Sequence, residues 1–270
     1  MLQVDDVGEV KRFRMGRSIL GRVMYMTTAY YVDGLLIDSG CAHCRDEFLA
    51  ALSDLTVEQL ANTHAHEDHV GANAALARRF GLRPRTHPRG LPILADPRGR
   101  LPLLPYQRII WGWPEASEGE ALPEVVKTKN HILKVVPTPG HSPDHVCFFE
   151  PDQGWLFSGD AYVGGKDRTL RADYNVWGII SSLKKMAVLE PKVLFTASGS
   201  VRGEARTDLA AKIDYLENLG EKIWNWSQKG LNYEQIASKV LGREQLIRFI
   251  SQGHFSGKNL VRSFIEDRPH

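Results

Sequence analysis

The stretch NTHAHEDHVG, residues 62–71, crowds His64, His66, Glu67, Asp68 and His69 together. A packed core rejects so many polar side chains unless each is satisfied, and a solvated charged face requires no particular alternation. A metal ion would satisfy imidazoles and a carboxylate together, and a bound water would then become a nucleophile. The cluster alone does not decide between an ion and a polar network. Three later residues share one context. His141 lies in VVPTPGHSPDHV after a strand-like run and a Pro–Gly turn, Asp160 lies in WLFSGDAYVGG, and Ser200 lies in VLFTASGS. Functional side chains gather at strand ends, where loops vary while the sheet holds their bases. Alone, an Asp beside a Gly is a routine turn former. Together, His64, His66, Asp68, His69, His141 and Asp160 can converge.

The elements that would carry these residues are legible from spacing. TTAYYV and GLLIDSG read as strands joined by the turn signal Asp33–Gly34. CRDEFLAALSDLTVEQLA has helical spacing, with Phe48, Leu49, Leu52 and Leu55 on one face, and DHVGANAALARRFG is a second helix ending at Gly81. The His cluster is therefore expected in a short loop that ends in a helix N-terminus. Residues 83–124 are rich in Pro, Gly and Arg and read as rim loops, with Leu103, Leu104, Trp111 and Trp113 as apolar wall material. HILKVVPTPG, SPDHVCFFE and GWLFSGDA are strands, YNVWGIISSLKKMAVLEP is a helix, and KVLFTASG is a last strand. Two successive strand-and-helix halves imply sheets packed between helical layers.

From Glu204 the pattern becomes helical: TDLAAKIDYLENLGEKIWNWSQKG, NYEQIASKVLG, REQLIRFI and a final helix near residues 260–265. Asn232 followed by Gln235 gives a capping-box signal. The expected division is a catalytic domain over 1–203 and a helical extension or cap over 204–270, which could also serve as a homodimer surface. The helical segment has no concentrated basic recognition face, so DNA binding is not expected.

The bulk numbers agree with one large layered unit plus an appendage. The 270 residues are 43% hydrophobic and 24% charged, and 34 Lys and Arg against 32 Asp and Glu leave a net charge of +2. No strong nucleic-acid or membrane field follows. MLQVDDVGEVKRF has early acids and no apolar leader region, and no apolar run of about 18 residues occurs, so a cytoplasmic location is expected. Cys41 and Cys44 form a lone CxxC, with Cys147 the only further cysteine. A structural zinc site would need a second pair, so these read as small packed side chains. His87, His131 and His270 read as surface or locally paired, Asp144 as a turn acceptor, and His145 as a neighbour of the site.

The ordered set HxHxDH at residues 64–69, PGH ending at His141, SGD ending at Asp160 and LIDSG at residues 36–40 resembles the metallo-β-lactamase superfamily of metal-dependent hydrolases. The resemblance covers about residues 20–200. It implies an α/β fold, a four-layer αββα sandwich of two mixed sheets. By the same resemblance His64, His66 and His141 would hold one metal, Asp68 and His69 a second, and Asp160 would bridge them. Asp38 would steer a ligating histidine through a hydrogen bond. One departure stands out: where many members place a last histidine, this chain offers Ser200, whose hydroxyl is a poor substitute for imidazole. His254, in QGHFSGKN, is a further candidate for substrate contact or ligation.

Such a centre favours zinc, two ions by count, and also accepts iron or manganese. The expected reaction is attack by a metal-bound hydroxide on an ester, thioester or lactone of a small organic substrate, with Asp68 orienting the water or taking its proton. Three alternatives stand beside it. A phosphodiesterase could use Arg108, Lys166, Lys258 and Arg262. A persulfide dioxygenase with one iron could use His64, His141 and Asp160. A metal-containing regulatory protein could use the helical tail for recognition.

Overall fold

The computed structural model describes residues 1–269, so His270 lies outside the described residues. A first, seven-stranded sheet opens with a hairpin that the sequence pattern did not announce, Leu2–Val7 against Val10–Met15. Thr27–Val32 and Leu35–Ile37 follow, joined through Asp33 and Gly34 at φ of 47° and 83°. Gln59–Ala61, Arg85–Thr86 and Glu120–Ala121 then add in parallel. The second sheet has six strands in the order Val125–Lys127, Ile132–Pro137, Val146–Glu150, Trp155–Gly159, Val193–Thr196 and Val201–Arg202. Within it only Trp155–Gly159 and Val193–Thr196 run parallel.

The strand period of two sorts side chains into layers. Leu35 and Ile37 face Phe148, Phe157 and Phe195 in the core between the sheets. The intervening Leu36 faces outward against Phe48, Leu52 and Leu76, which belong to the helices Arg45–Ala51 and Asn73–Phe80 and the turn between. On the second sheet, Cys147, Phe149 and Leu156 face outward onto the helix Val176–Val188 and the C-terminal helices. The result is an αββα sandwich.

Residues 45–61 are not one helix. The helix stops at Ala51, and Gln59–Ala61 is a strand between Leu35–Ile37 and Arg85–Thr86. A short apolar run fits both periods, and hydrogen bonds on both edges settle it as a strand. The rim segment contains the short helices Leu91–Ala95, Pro97–Arg100 and Pro105–Ile110 rather than plain loops.

The C-terminal helices Ala205–Ser227, Tyr233–Leu241 and Gly257–Glu266 share one core with the second sheet, where Leu209, Leu216, Ile236 and Leu260 meet Cys147 and Leu156. Asn232 accepts from the Gln235 N–H and the Gln235 side chain accepts from the Asn232 N–H, both at 3.0 Å. Cys41 and Cys44 are buried beside Phe48. His131 is buried and locally paired, 3.5 Å from Glu9 and 3.7 Å from Glu150. Among the described residues no helix is long and apolar enough to cross a membrane.

Candidate metal centre and its cavity

The cluster at residues 64–69 grows out of the strand Gln59–Ala61, and neighbouring strand ends pin it. Asp38 follows the strand Leu35–Ile37 with φ of 62°, a left-handed conformation that aspartate tolerates. Its carboxylate accepts from the Thr63 N–H and the Thr63 hydroxyl at 2.8 Å each, and lies 2.8 Å from His69 Nδ1. The Ser39 N–H donates to the His69 carbonyl at 2.8 Å, and the Gly71 N–H donates to the Gly40 carbonyl at 2.8 Å. Asn73 donates to Asn62 at 2.7 Å, closing the loop at its base.

Two glycines let the second sheet reach the same place. At Gly140, with φ of 136°, an added Cβ would stand 2.3 Å from the Ile179 nitrogen. Only glycine lets the turn before His141 lie against the helix Val176–Val188. At Gly159, with φ of 48°, a Cβ would lie 2.7 Å from His145 Nε2. The next residue, Asp160, donates its N–H to that nitrogen at 3.1 Å, and His145 Nδ1 lies 2.8 Å from the Thr138 hydroxyl. His145 thus acts as a backbone clamp on Asp160. Asp144 ties the loops together, accepting from the Ala65 N–H at 2.8 Å and the Ser142 hydroxyl at 2.7 Å.

All six main candidates meet. His64 Nε2 and His66 Nδ1 are 2.9 Å apart, and His141 Nε2 is 3.0 Å from the same His66 nitrogen. Asp160 Oδ2 lies 3.3 Å from His141 Nε2, 3.5 Å from His69 Nε2 and 4.0 Å from His64 Nε2. Asp68 Oδ2 is 3.9 Å from His69 Nε2. Two donor sets of metal-holding geometry result, His64–His66–His141 and His64–His69–Asp160.

Charge and burial support an ion here. Burial pushes the His64 and His66 imidazoles well below their usual range and takes His141 down to about 4, leaving neutral rings with lone pairs. Burial also opposes a proton on His69, but Asp38, Asp68 and Asp160 outweigh it and raise that ring. Burial pushes the Asp68 carboxyl up to about 7. For Asp160 burial pushes upward too, but His141 and His69 prevail and hold it ionised. His69 Nε2 is buried without a hydrogen-bond partner, an orphan that calls for a ligand. The neutral imidazoles of His64, His66 and His141, an ionised carboxylate and this orphan fit a bound metal ion.

A cavity of about 450 Å³ opens beside the cluster, with Asp68, His141 and Asp160 in its wall. Tyr25, Ile110, Trp111 and Leu216 are among its apolar lining, and Ile247, Ile250 and Phe255 of the C-terminal segment also reach it. Residues that sequence patterns did not flag shape its polar end. The Tyr174 hydroxyl is 3.1 Å from His141 Nε2, and its ring lies parallel to His66 at 6.1 Å. Arg171 lies over the Tyr174 ring and pairs with Asp173 at 2.8 Å. Glu67 accepts from Gln107 at 2.7 Å. Glu67 stands in the cluster itself, but its partner Gln107 and the Arg171–Tyr174 segment come from elsewhere in the sequence, and no local motif ties them to the site.

The remaining candidates are placed differently. His254 sits behind the cavity wall, its Nδ1 2.8 Å from the Tyr106 hydroxyl. Ser200 is exposed, its hydroxyl 3.3 Å from that of Ser198, and neither lines the cavity. Trp111 does line it, whereas Leu103, Leu104 and Trp113 do not; Trp113 lies beneath Arg98 and Arg108.

Known proteins resemble this chain in sequence or in fold. Hydroxyacylglutathione hydrolase from a Synechococcus strain is 34% identical over 119 residues, 43% of this chain and 40% of that protein. Atrochrysone carboxyl ACP thioesterase from Aspergillus fumigatus is 26% identical over 204 residues, 72% of this chain and 58% of that one. The chain thus spans only 40% and 58% of these relatives' lengths. In fold it is similar to a beta-lactamase domain protein from Burkholderia ambifaria, with a TM-score of 0.71 at 18% identity, covering 97% of this chain and 87% of that one. The family model described as metallo-beta-lactamase superfamily matches residues 24–198, well over half the chain. With the αββα sandwich and the His–Asp cluster at its strand ends, the chain belongs to the metallo-beta-lactamase superfamily.

Proposed function

We propose that this chain is a metal-dependent hydrolase that cleaves an acyl thioester. The observation that carries the proposal is the meeting of two donor triads at His64, beside a largely apolar cavity. The names of the two relatives, a hydroxyacylglutathione hydrolase and a thioesterase, favour a thioester over a phosphodiester.

His64, His66 and His141 would hold one ion, and Asp68, His69 and Asp160 could hold a second. Zinc suits the set, and iron or manganese would be accepted. Bound there, such ions supply an acidified water and Lewis acidity toward the acyl oxygen. The chain's own side chains do the rest. Asp38 holds the His69 ring by its Nδ1, leaving Nε2 for the cluster. Asp68 lies in the cavity wall beside the cluster, placed to orient a water there. Burial keeps the Tyr174 phenol protonated, so it remains a donor toward charge developing on the acyl oxygen. Tyr25, Ile110 and Trp111 exclude water from the acyl group.

The test is a substrate panel of acyl thioesters, carboxylic esters, lactones and phosphodiesters at matched metal loading. Thioesters should show the highest kcat/KM, and Asp160→Ala should lower it on the order of a thousandfold or more. Preferred phosphodiester turnover would refute the substrate class. Oxygen uptake with a persulfide, without hydrolysis of the panel, would replace the reaction itself.

A further inference from the structure

Four segments supply or adjoin the lining of the cavity, and each turns an apolar side chain to solvent near a cation in sequence. The hairpin Ser18–Ile19 with Arg22–Val23 precedes the cavity residues Met24 and Tyr25 and carries Leu20 at its tip, 99% exposed. The helix Pro105–Ile110 exposes Ile109 beside Arg108, and the loop at residues 163–166 exposes Val163 and Lys166. The helix Leu246–Ile250 lines the cavity with Ile247 and Ile250 while holding Leu246 and Phe249 outward, 71% and 70% exposed. Single exposed apolar residues are ordinary, but their concentration around one opening marks an interaction surface.

Leu20 adds a second argument. It sits at φ of 50°, followed by Gly21 at 75°, in a turn that favours Gly, Asn or Asp. A fully exposed leucine there gains nothing within the chain. Charge adds a third. Arg17, Arg22, Arg108, Lys166 and Arg243 stand in or beside these segments against two acids, each already paired: Glu244 with Arg248 at 3.3 Å and Asp167 with Lys212 at 2.6 Å. The chain as a whole carries only +2, so its near balance conceals a cationic rim. Separate convex apolar tips ringed by cations suit a fluid surface that fills the gaps between them better than a rigid partner that needs a groove.

We propose that the cavity mouth docks on an anionic lipid surface, with Leu20 and the helix Leu246–Ile250 entering the headgroup layer. This revises the expectation of no membrane contact drawn from net charge. It does not depend on the reaction assigned to the cluster, because binding can be read without substrate.

The test is flotation of the full, metal-loaded chain with phosphatidylcholine vesicles, with and without phosphatidylglycerol. The chain should float with the anionic vesicles, weakly with neutral ones, and be released by high salt. The double variant Leu20→Asp with Phe249→Asp should reduce the vesicle-bound fraction at least about tenfold, with circular dichroism and metal content unchanged. A separate variant, Arg22→Glu with Arg243→Glu, should abolish the preference for anionic vesicles. Failure of the wild type to float, equal flotation on neutral vesicles, or undiminished flotation of the Leu20 and Phe249 variant would overturn the proposal. Binding to an acidic protein without binding to vesicles would overturn it as well.

Discussion

The strand-end cluster and the C-terminal wall face one cavity but are held in different ways. At the cluster, side chains are fixed by partners from other elements: His69 by Asp38, the Asp160 backbone by His145, and His141 by the Gly140 turn against Ile179. His64 and His69 are fully buried. Along the wall, Ile247 is half-buried and Ile250 exposed, and the segment is tied largely through backbone, as where Asn259 donates to the carbonyls of Gly253 and His254 at 3.1 and 2.9 Å. Chemistry needs donors within fractions of an ångström, which a cross-braced sheet end provides. Choice of substrate tolerates, and gains from, an adaptable apolar surface.

If this contrast is right, substitutions should divide into those that remove metal and those that shift substrate preference. The largest effect belongs to His66→Ala, which removes the nitrogen shared by two close imidazole pairs; hydrolysis should fall on the order of a thousandfold with loss of bound metal. Asp38→Asn comes next. It keeps the shape but weakens the hold on His69, and metal affinity measured by chelator competition should fall about 10–100-fold. Tyr174→Phe should lower kcat about tenfold with metal content unchanged; metal loss would instead make its hydroxyl structural. The smallest effects belong to the wall. Ile247→Ala should raise KM a few-fold for long acyl groups and little for short ones, and His254→Ala, by freeing the Tyr106 hydroxyl, should also move KM rather than metal content. Metal loss from His254→Ala would break the comparison.

The cluster was legible because its chemistry is written in residue types at short spacing: HxHxDH, PGH and SGD each survive without knowledge of the fold. Four strands of the second sheet were legible too, since runs such as Val146–Glu150 and Trp155–Gly159 are apolar and bounded by Pro and Gly turns, whereas the short edge strands Val125–Lys127 and Val201–Arg202 were not. Gln59–Ala61 was read as helix because three residues carry no period of their own. The hairpin at residues 2–15 was missed because exposed charged positions blur its alternation. The contact of Tyr174 with His141 and the Glu67–Gln107 pair could not be read because each joins segments far apart in sequence. Ser200 was placed by strand-end context and by the family resemblance, and neither says which way the side chain points.

The most direct test of the central claim is a metal titration of the metal-free chain, following thioester hydrolysis and bound metal together. The account predicts no turnover before addition, activity that rises with occupancy to a plateau at two ions per chain, and no recovery in Asp160→Ala at any loading. Turnover by the metal-free chain, or wild-type turnover in Asp160→Ala, would contradict it.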